Sequence, residues 1–195
     1  MYHARKPELE APHRVIVIGS PGAEKGALAR AIAERLKIPC IELERLYWRP
    51  GWQRPDADEW RVQVAKLVTR EDWVIEGTFP STLDMRVARA DWLVYVDAPM
   101  PVCLLRKVKD MLRGSRDRQS EVAPGCRQRL DTRILRFIWA FPTSMGPRIN
   151  MIIARERRNR TIFILRSKRD QNNFLAKVPI LGDLGRDPAD PHSGS

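Results

Sequence analysis

The sequence predicts an α/β domain in which a doubly wound, five-stranded parallel sheet carries helices on both faces. Three observations predict it. Short, nearly continuous apolar runs, typical of strands buried on both faces, alternate with segments of helical periodicity. A glycine-rich turn follows the first of these runs. The chain has 195 residues, enough for one well-cored domain and too few for two. In such a sheet, ligands bind outside the carboxyl ends of the strands.

Five apolar runs are predicted as the strands. In chain order they are VIVI at 15–18, CIEL at 40–43, WVIEG at 73–77, WLVYVD at 92–97 and TIFIL at 161–165. Between them, apolar residues repeat every three or four positions, which predicts helices. The repeats are Leu28, Ile32 and Leu36; Trp60, Val64 and Leu67; and Val102, Leu105, Val108 and Leu112. A last short helix is predicted near 170–176.

The connections have their own signals. The segment 47–60, YWRPGWQRPDADEW, contains two prolines and a glycine and is predicted as a loop. The tetrapeptide STLD at 81–84 has the pattern of a capping box, which predicts a short helix after it. Trp73, Trp92 and Trp139 are predicted to lie in the core.

Residues 1–13 and 178–195 lack apolar periodicity, so we expect flexible ends around a single domain at 14–177. No apolar run approaches the roughly 20 residues that span a bilayer, and the first residues lack the apolar core of a signal peptide. A cytoplasmic location without a membrane partner is therefore expected. The three histidines lie in or near the ends, and no Ser-His-Asp arrangement supports hydrolase chemistry.

Positive charge is concentrated in one region of the chain. The net charge is +11, yet residues 101–169 alone hold 18 Lys and Arg against 5 Asp and Glu, a local excess of +13. Such a patch attracts polyanions, either nucleotides or nucleic acid, without distinguishing them.

The turn after the first strand, GSPGAEKGA at 19–27, has the frame of a phosphate-binding P-loop, G-x-x-x-x-G-K-[ST]. The loop length, the first glycine and Lys25 fit the motif. Glu24 stands where the second glycine belongs, and Gly26 replaces the hydroxyl that ligates Mg²⁺. Both changes predict weaker binding of ATP or slower chemistry, through charge repulsion and a lost metal ligand. A strand-to-helix turn that only looks like a P-loop is the alternative.

The order of several segments resembles the bacterial DNA topology modulation protein family, a branch of adenylate-kinase-like P-loop kinases. The segments are RVIVIGSPGA, IELERLYWRPGWQRPDADEW, the stretch that begins DWVIEGTF, and TIFILRSKRDQNNFL. The resemblance covers about 14–175, and its most specific parts are YWRPGW and WVIEGTF. It implies the fold of the P-loop NTPases, with ATP and Mg²⁺ as cofactors and a nucleotide or another small molecule as phosphate acceptor.

The resemblance also implies roles for individual residues. The candidates for binding ATP are Gly19, Ser20, Pro21, Gly22, Ala23, Glu24, Lys25, Gly26, Ala27 and, after the last strand, Arg166. The candidates for the acceptor side are Glu44, Trp48, Gly77 and Arg86. Glu76 would lie near Mg²⁺ or its bound water, and Asp97 ranks below it for the same role. Trp48 and Trp52 could stack on a base or sugar, or could cover the edge of the sheet.

The basic stretch LLRKVKDMLRGSRDRQ falls where adenylate-kinase-like proteins have a lid, whose arginines neutralise charge on the transferred phosphoryl group. The lid is expected at about 113–130. Besides Lys25, the catalytic candidates are Arg113, Arg116 and Arg118, with Arg106 and Arg148 as further ones. Ser81 stands where adenylate kinases proper have an arginine, so AMP is not implied as the acceptor.

Three functions stay open at this point. The first is an ATP-dependent kinase of a nucleotide or another small acceptor. The second is a catalytically inactive pseudokinase that acts by binding or regulation, and the third is a nucleic-acid-associated protein that uses the basic region 101–169.

Overall fold

The structure, a computed structural model, describes residues 10–112 and 132–181. The predicted lid at about 113–130, with Arg113, Arg116 and Arg118, lies outside the described residues.

The sheet has five strands, all parallel, as the sequence predicts. They are β1 (Arg14–Gly19), β2 (Cys40–Glu42), β3 (Trp73–Glu76), β4 (Trp92–Val96) and β5 (Thr161–Leu165). Their spatial order is β2-β3-β1-β4-β5, which puts β1 in the centre of the sheet. The glycine-rich turn therefore starts from the middle of the edge at which all five strands end.

Eight α-helices lie in the described part of the chain. They are α1 (Lys25–Leu36), α2 (Leu43–Tyr47), α3 (Ala57–Val68), α4 (Leu83–Val87), α5 (Met100–Leu112), α6 (Thr132–Ser144), α7 (Gly146–Glu156) and α8 (Lys168–Leu175). Two short 3₁₀ helices, Pro50–Trp52 and Pro80–Thr82, precede α3 and α4.

Two hydrophobic cores, one on each face of the sheet, hold these layers together. Side chains alternate along a strand, so Ile16 and Ile18 of β1 join one core while Val15 and Val17 join the other. The first core contains residues of α3, α4 and α7, and the second contains residues of α1 and α8. The prediction of helices on both faces is confirmed.

The predicted capping box at 81–84 is wrong. Phe79 adopts a positive φ of 26°, Pro80 then opens a 3₁₀ turn, and α4 begins without a side-chain cap. A true capping box begins α8, where Ser167 Oγ accepts from the Asp170 N–H at 3.1 Å and Asp170 Oδ2 accepts from the Ser167 N–H at 2.9 Å.

Two other local predictions also differ from the structure. The segment 47–60 is not all loop, because α3 starts at Ala57, where the Asp56 carboxylate accepts from the N–H groups of the first turn. Trp139, expected in the core, is 66% exposed. Helical periodicity places it on α6 but does not say which side of α6 faces the sheet.

Contacts of the domain extend slightly beyond 14–177. The N–H of His13 donates to Asp91, and its ring Nδ1 lies 2.7 Å from Asp72 Oδ1. At the other end Val178 is buried, and the Leu181 N–H donates to the Arg35 carbonyl at 2.9 Å. None of the helices described here is long and apolar enough to span a membrane.

Candidate functional site

The turn between β1 and α1 is closely packed against its neighbours at two glycines. Gly19 has φ 150° and Gly22 has φ 82°. A Cβ at Gly19 would lie 2.4 Å from the Val96 carbonyl oxygen, and one at Gly22 would lie 2.4 Å from that of Cys103. Any side chain at either position would collide with backbone, so both glycines are required for this loop conformation.

Glu24 occupies a left-handed conformation, with φ 62° and ψ 29°, directly before α1. This is the position at which the P-loop motif has its second glycine, and a residue with a Cβ loses about 1 kcal/mol or more there. The backbone of the turn keeps the conformation that glycine would favour, although the side chain is a glutamate.

The Glu24 carboxylate is held by two cations from other elements. Its Oε2 lies 3.5 Å from Arg106 Nη2 on α5 and 3.6 Å from Lys168 Nζ on α8. Arg106 also lies beside the turn itself, with Nη1 at 3.5 Å from the Gly22 carbonyl oxygen. The repulsion expected between this carboxylate and a bound phosphate is therefore partly neutralised in place.

Lys25, the first residue of α1, turns its side chain back over the loop. Its Nζ donates to the Ser20 carbonyl at 3.1 Å and lies 3.4 Å from Glu76 Oε1. Both side chains of this ion pair are only 11% exposed. The ammonium and the unpaired N–H groups that begin any α-helix face the same turn, which is the arrangement that binds phosphate in other proteins.

Glu76, at the end of β3, is a buried acid in an acidic neighbourhood. Burial raises the pKa of its carboxyl, Lys25 lowers that pKa, and Glu44 and Glu42 raise it again. Glu42 ends β2 in register with Glu76, so both carboxylates lie at the same edge of the sheet. Glu42 was not predicted as a site residue, although its place at a strand end could have indicated it.

Asp97 and Arg166 form a separate pair beyond β4 and β5. Arg166 Nε lies 3.4 Å from Asp97 Oδ2. Burial raises the pKa of the nearby Tyr95 hydroxyl, and the negative charge of Asp97 raises it further. A cavity of about 40 Å³ lies next to Asp97 and is lined by Ser20 and Tyr95 among others. The central strand β1 lies between the strands that carry Asp97 and Glu76, so the two predicted metal ligands follow strands that are not neighbours.

The described residues do not fit a Mg²⁺ ion well. No group of three or more His, Cys, Asp or Glu among them could hold a metal. Gly26 offers no hydroxyl, and Glu76 and Asp97 are each paired with a cation. Arg30 Nη1 lies 3.4 Å from the position that a Cβ of Gly26 would take, which is next to the place of the missing hydroxyl.

Thr78 ties the end of β3 to the phosphate-binding turn. Its hydroxyl donates to the Gly19 carbonyl at 2.7 Å and accepts from the Gly19 N–H at 3.1 Å, and all of these groups are buried. The neighbouring Gly77 N–H donates to the carbonyl of Val17 in β1 at 3.1 Å. A contact of this kind between distant residues has no signal in the sequence.

We expect the substitution Thr78→Val to lower the free energy of unfolding by about 2 kcal/mol, because a buried donor and acceptor on Gly19 lose their partner. Urea denaturation measures this change. Thr69→Val is the matched control, since the Thr69 hydroxyl is exposed and donates to the Lys66 carbonyl near the end of α3, and about 0.5 kcal/mol or less is expected there. Equal losses of unfolding free energy in the two variants would show that the hydrogen bonds between Thr78 and Gly19 stabilise the fold no more than an exposed hydroxyl does.

Arg86, predicted on the acceptor side, is fully buried and directs its guanidinium at the backbone. It donates to the carbonyls of Gly77 (2.6 Å), Thr78 (2.7 Å), Phe79 (3.0 Å) and Thr82 (3.3 Å). Burial lowers its pKa to about 9, against the opposing charge of Glu76. Arg86 thus remains charged at neutral pH and fixes the conformation of the loop after β3. Arg86 can therefore affect the binding of an acceptor only indirectly, through the conformation of that loop.

The other acceptor-side candidates lie around the same loop. Glu44 is exposed in the first turn of α2, and Gly77 has φ 127° at the start of the loop. Trp48 is half-buried, with its ring in edge contact with Tyr47 at 5.0 Å and Trp52 at 5.3 Å. The tryptophan pair therefore forms part of an aromatic cluster that also includes Trp60 and Phe79.

The remaining predicted arginine, Arg148, pairs with an acidic residue of α4. Its Nη2 lies 2.8 Å from Asp84 Oδ2 on α4. Among the described residues, four others that were not predicted as site residues also lie near the turn: Arg30, Glu42, Thr78 and Lys168. Arg30 lies one helical turn after Gly26, a spacing at which side chains on a helix meet, so this contact could have been predicted.

Solved structures share this architecture across most of the chain. A shikimate kinase from Acinetobacter baumannii in complex with shikimate has a TM-score of 0.54 at 14% identity, covering 87% of this chain and 91% of that one. A shikimate kinase from Bacteroides thetaiotaomicron has a TM-score of 0.53 at 16% identity, covering 89% and 98%. The fold is that of the P-loop kinases. No protein-family model and no curated protein matches the sequence, so membership of the topology modulation family stays a prediction.

Proposed function

We propose that this protein binds ATP in the turn at 19–27 and transfers its terminal phosphoryl group to a small-molecule or nucleotide acceptor. The observation that carries this proposal is the Lys25 ammonium, held over a turn that keeps its left-handed backbone even at Glu24. The similarity in fold to shikimate kinases, one of them with shikimate bound, supports a small polar acceptor.

The residues around the turn suggest how the phosphates are held. The N–H groups at the start of α1 and the Lys25 ammonium would contact the phosphate oxygens, and Lys25 would exchange the Ser20 carbonyl for them. Arg106 and Lys168, which flank Glu24, add positive charge on the side of α5 and α8. Phosphoryl transfer needs mainly positioning and charge neutralisation, so the absence of a histidine base in the domain is no obstacle.

The acceptor is proposed to bind beyond the ends of β2 and β3, among Glu44, Trp48 and Gly77. A hydroxyl oxygen of the acceptor attacks the γ-phosphorus, the bond from that phosphorus to the bridging oxygen breaks as ADP leaves, and the proton of the hydroxyl passes to water. Arg86 and Thr78 shape this region by fixing the loop after β3 to the phosphate-binding turn. They are positioning residues.

Calorimetric titration of ATP into the natural chain tests the proposal, followed by a screen of acceptors for ADP release. Binding in the micromolar range, with an acceptor-dependent release of ADP, is the expected result. Binding without turnover on any acceptor would favour the second candidate function below. No detectable binding would contradict the proposal.

Two substitutions of Glu24 distinguish the effect of its strained backbone from the effect of its negative charge. Glu24→Gln removes the carboxylate but keeps the strained backbone, and Glu24→Gly removes both. We expect Glu24→Gly to bind ATP about tenfold more tightly than the natural chain does. We also expect its free energy of unfolding to be about 1 kcal/mol higher. Glu24→Gln should show a gain in affinity without the gain in stability. Calorimetry and urea denaturation measure the two effects.

The matched control is Lys37→Gly, at the other end of α1. Lys37 is also left-handed, with φ 56°, so glycine there should stabilise the fold by a similar amount without changing the affinity for ATP. If Glu24→Gly gained no affinity over the natural chain, Glu24 would not be the feature that weakens the loop.

A pseudokinase is the second candidate, and the Glu24 contacts favour it. The Glu24 carboxylate already pairs with Arg106 and Lys168. The charges beside the turn are therefore balanced without a bound nucleotide. Such a protein would act through binding or regulation. It predicts that the natural chain binds ATP weakly or not at all and shows no turnover on any acceptor, while Glu24→Gly binds ATP more tightly; the titrations and the acceptor screen above decide this.

A further inference from the structure

The guanidinium of Arg30 lies beside Gly26, the position at which the P-loop motif has its metal-binding hydroxyl. Gly26 is the second residue of α1, in the turn of helix that surrounds a bound phosphate. Arg30 Nη1 is 3.4 Å from the position that a Cβ at Gly26 would occupy, and its Cζ is 4.0 Å away. The same Nη1 lies 2.6 Å from Glu42 Oε1, so the guanidinium also pairs with this carboxylate.

Glycine at position 26 makes this contact possible. In the motif the residue there carries a hydroxyl, and that hydroxyl binds Mg²⁺. Here the space beside the Cα is open, and the arginine one helical turn later has folded back into it. The missing hydroxyl and the added cation are two parts of one arrangement.

The carboxylates that could attract a metal are already paired in the same cluster. Glu42 pairs with Arg30, and Glu76, its register partner on β3, pairs with Lys25. Two cations and two carboxylates thus face the end of the phosphate-binding turn. A divalent ion would have to displace a guanidinium or an ammonium of like charge, without a protein hydroxyl to bind in return.

We propose that Arg30 takes the place of Mg²⁺, so that the site binds the phosphates of ATP without a divalent cation. This inference rests on the proposed function, since it concerns the same turn. The ligand class is a nucleoside triphosphate or another polyphosphate in its metal-free form. Arg30 is 45% exposed and Glu42 only 12%, so the guanidinium can turn from the carboxylate to a phosphate without disturbing the core.

The test is ATP binding measured by calorimetry in excess EDTA and again in millimolar MgCl₂. Five proteins are compared: the natural chain, Arg30→Ala, Arg30→Lys, the double variant Gly26→Ser with Arg30→Ala, and Arg70→Ala. Arg70 is exposed and lies between α3 and β3, at the opposite edge of the sheet, so it controls for loss of one positive charge. Thermal unfolding verifies that each variant is folded.

We expect the natural chain to bind ATP with affinities that agree within about twofold in the two buffers. Arg30→Ala should lose about tenfold in EDTA, and Arg30→Lys should recover part of that loss because it restores the charge. The double variant should bind at least about tenfold more tightly in Mg²⁺ than in EDTA, because it regains the hydroxyl and loses the competing cation. Arg70→Ala should match the natural chain.

Two results would overturn the inference while leaving the proposed function in place. One is natural-chain binding that Mg²⁺ strengthens about tenfold or more. The other is an Arg30→Ala variant that binds metal-free ATP as well as the natural chain does. Failure of the natural chain to bind ATP in either buffer would refute the proposed function first, and this inference with it.

Discussion

Replacement of Lys25 by alanine is expected to weaken ATP binding at least about 100-fold, which corresponds to about 2.7 kcal/mol. The structure places the charge of this lysine directly over the turn, with Nζ bound to the Ser20 carbonyl and 3.4 Å from Glu76 Oε1. Without it, the phosphates lose the ammonium over the turn and keep the N–H groups of the loop and the cations at its sides, among them Arg106. Calorimetric titration of ATP into the variant measures the loss.

A second effect must be separated from this one. Lys25→Ala also leaves the buried Glu76 carboxylate without its partner, which costs stability. The double variant Lys25→Ala with Glu76→Gln removes the orphaned charge, so it should regain stability and still fail to bind ATP. Lys66→Ala, at the end of α3, is the control for charge. If the folded double variant bound ATP normally, the turn would not be the nucleotide site.

Replacement of Arg86 by methionine is expected to lower the free energy of unfolding by about 3 kcal/mol or more. The apolar side chain fills part of the volume but cannot donate to the carbonyls of Gly77, Thr78 and Thr82, whose contacts with Arg86 are buried, or to that of Phe79, whose contact is partly buried. Arg86→Lys should be nearly as harmful, because a single ammonium cannot replace a planar fork of donors. Urea denaturation measures both variants.

Arg89→Met provides the matched control, because Arg89 is exposed two residues after the end of α4 and its loss should change stability by about 0.5 kcal/mol or less. The folded Arg86→Met variant should also bind ATP more weakly, because the loop that Arg86 holds is bonded to Gly19 through Thr78. A stable Arg86→Met variant with an ordered loop would refute this account of the loop after β3.

The strands and the phosphate-binding turn could be predicted from sequence because their signals are local. Apolar runs such as WLVYV are buried on both faces, and the turn is recognisable from the spacing of Gly19 and Lys25. The short helix α4 was located correctly, but its start was not, because the turn at Phe79 and Pro80 replaces a side-chain cap.

The partners of the site residues could not be predicted because they come from distant parts of the chain. Glu24 meets Arg106 from α5 and Lys168 from α8, and Thr78 meets Gly19 across 59 positions. The role of Arg86 was missed for the same reason: an arginine after a strand end suggests a ligand, whereas burial decides that it binds backbone. Only the fold shows that burial.

The basic region 101–169 remains a prediction as a nucleic-acid surface. In the described residues several of its arginines already have partners: Arg148 and Arg155 pair with Asp84, and Arg160 binds Glu156 and the carbonyls of Ala88 and Ala90. Binding to DNA would weaken steeply with added salt, with a slope of about −0.9 per phosphate neutralised. Such a slope would distinguish this function from nucleotide binding.

A crystal structure of the protein with a non-hydrolysable ATP analogue, grown without divalent cations, tests the central claim most directly. The account predicts that the phosphates lie in the turn at 19–27, with oxygens about 3 Å from the Lys25 Nζ and from N–H groups at the start of α1. The Glu76 contact of Lys25 should then lengthen. A nucleotide bound elsewhere, with Lys25 still on Ser20 and Glu76, would contradict the assignment of this turn as the ATP site.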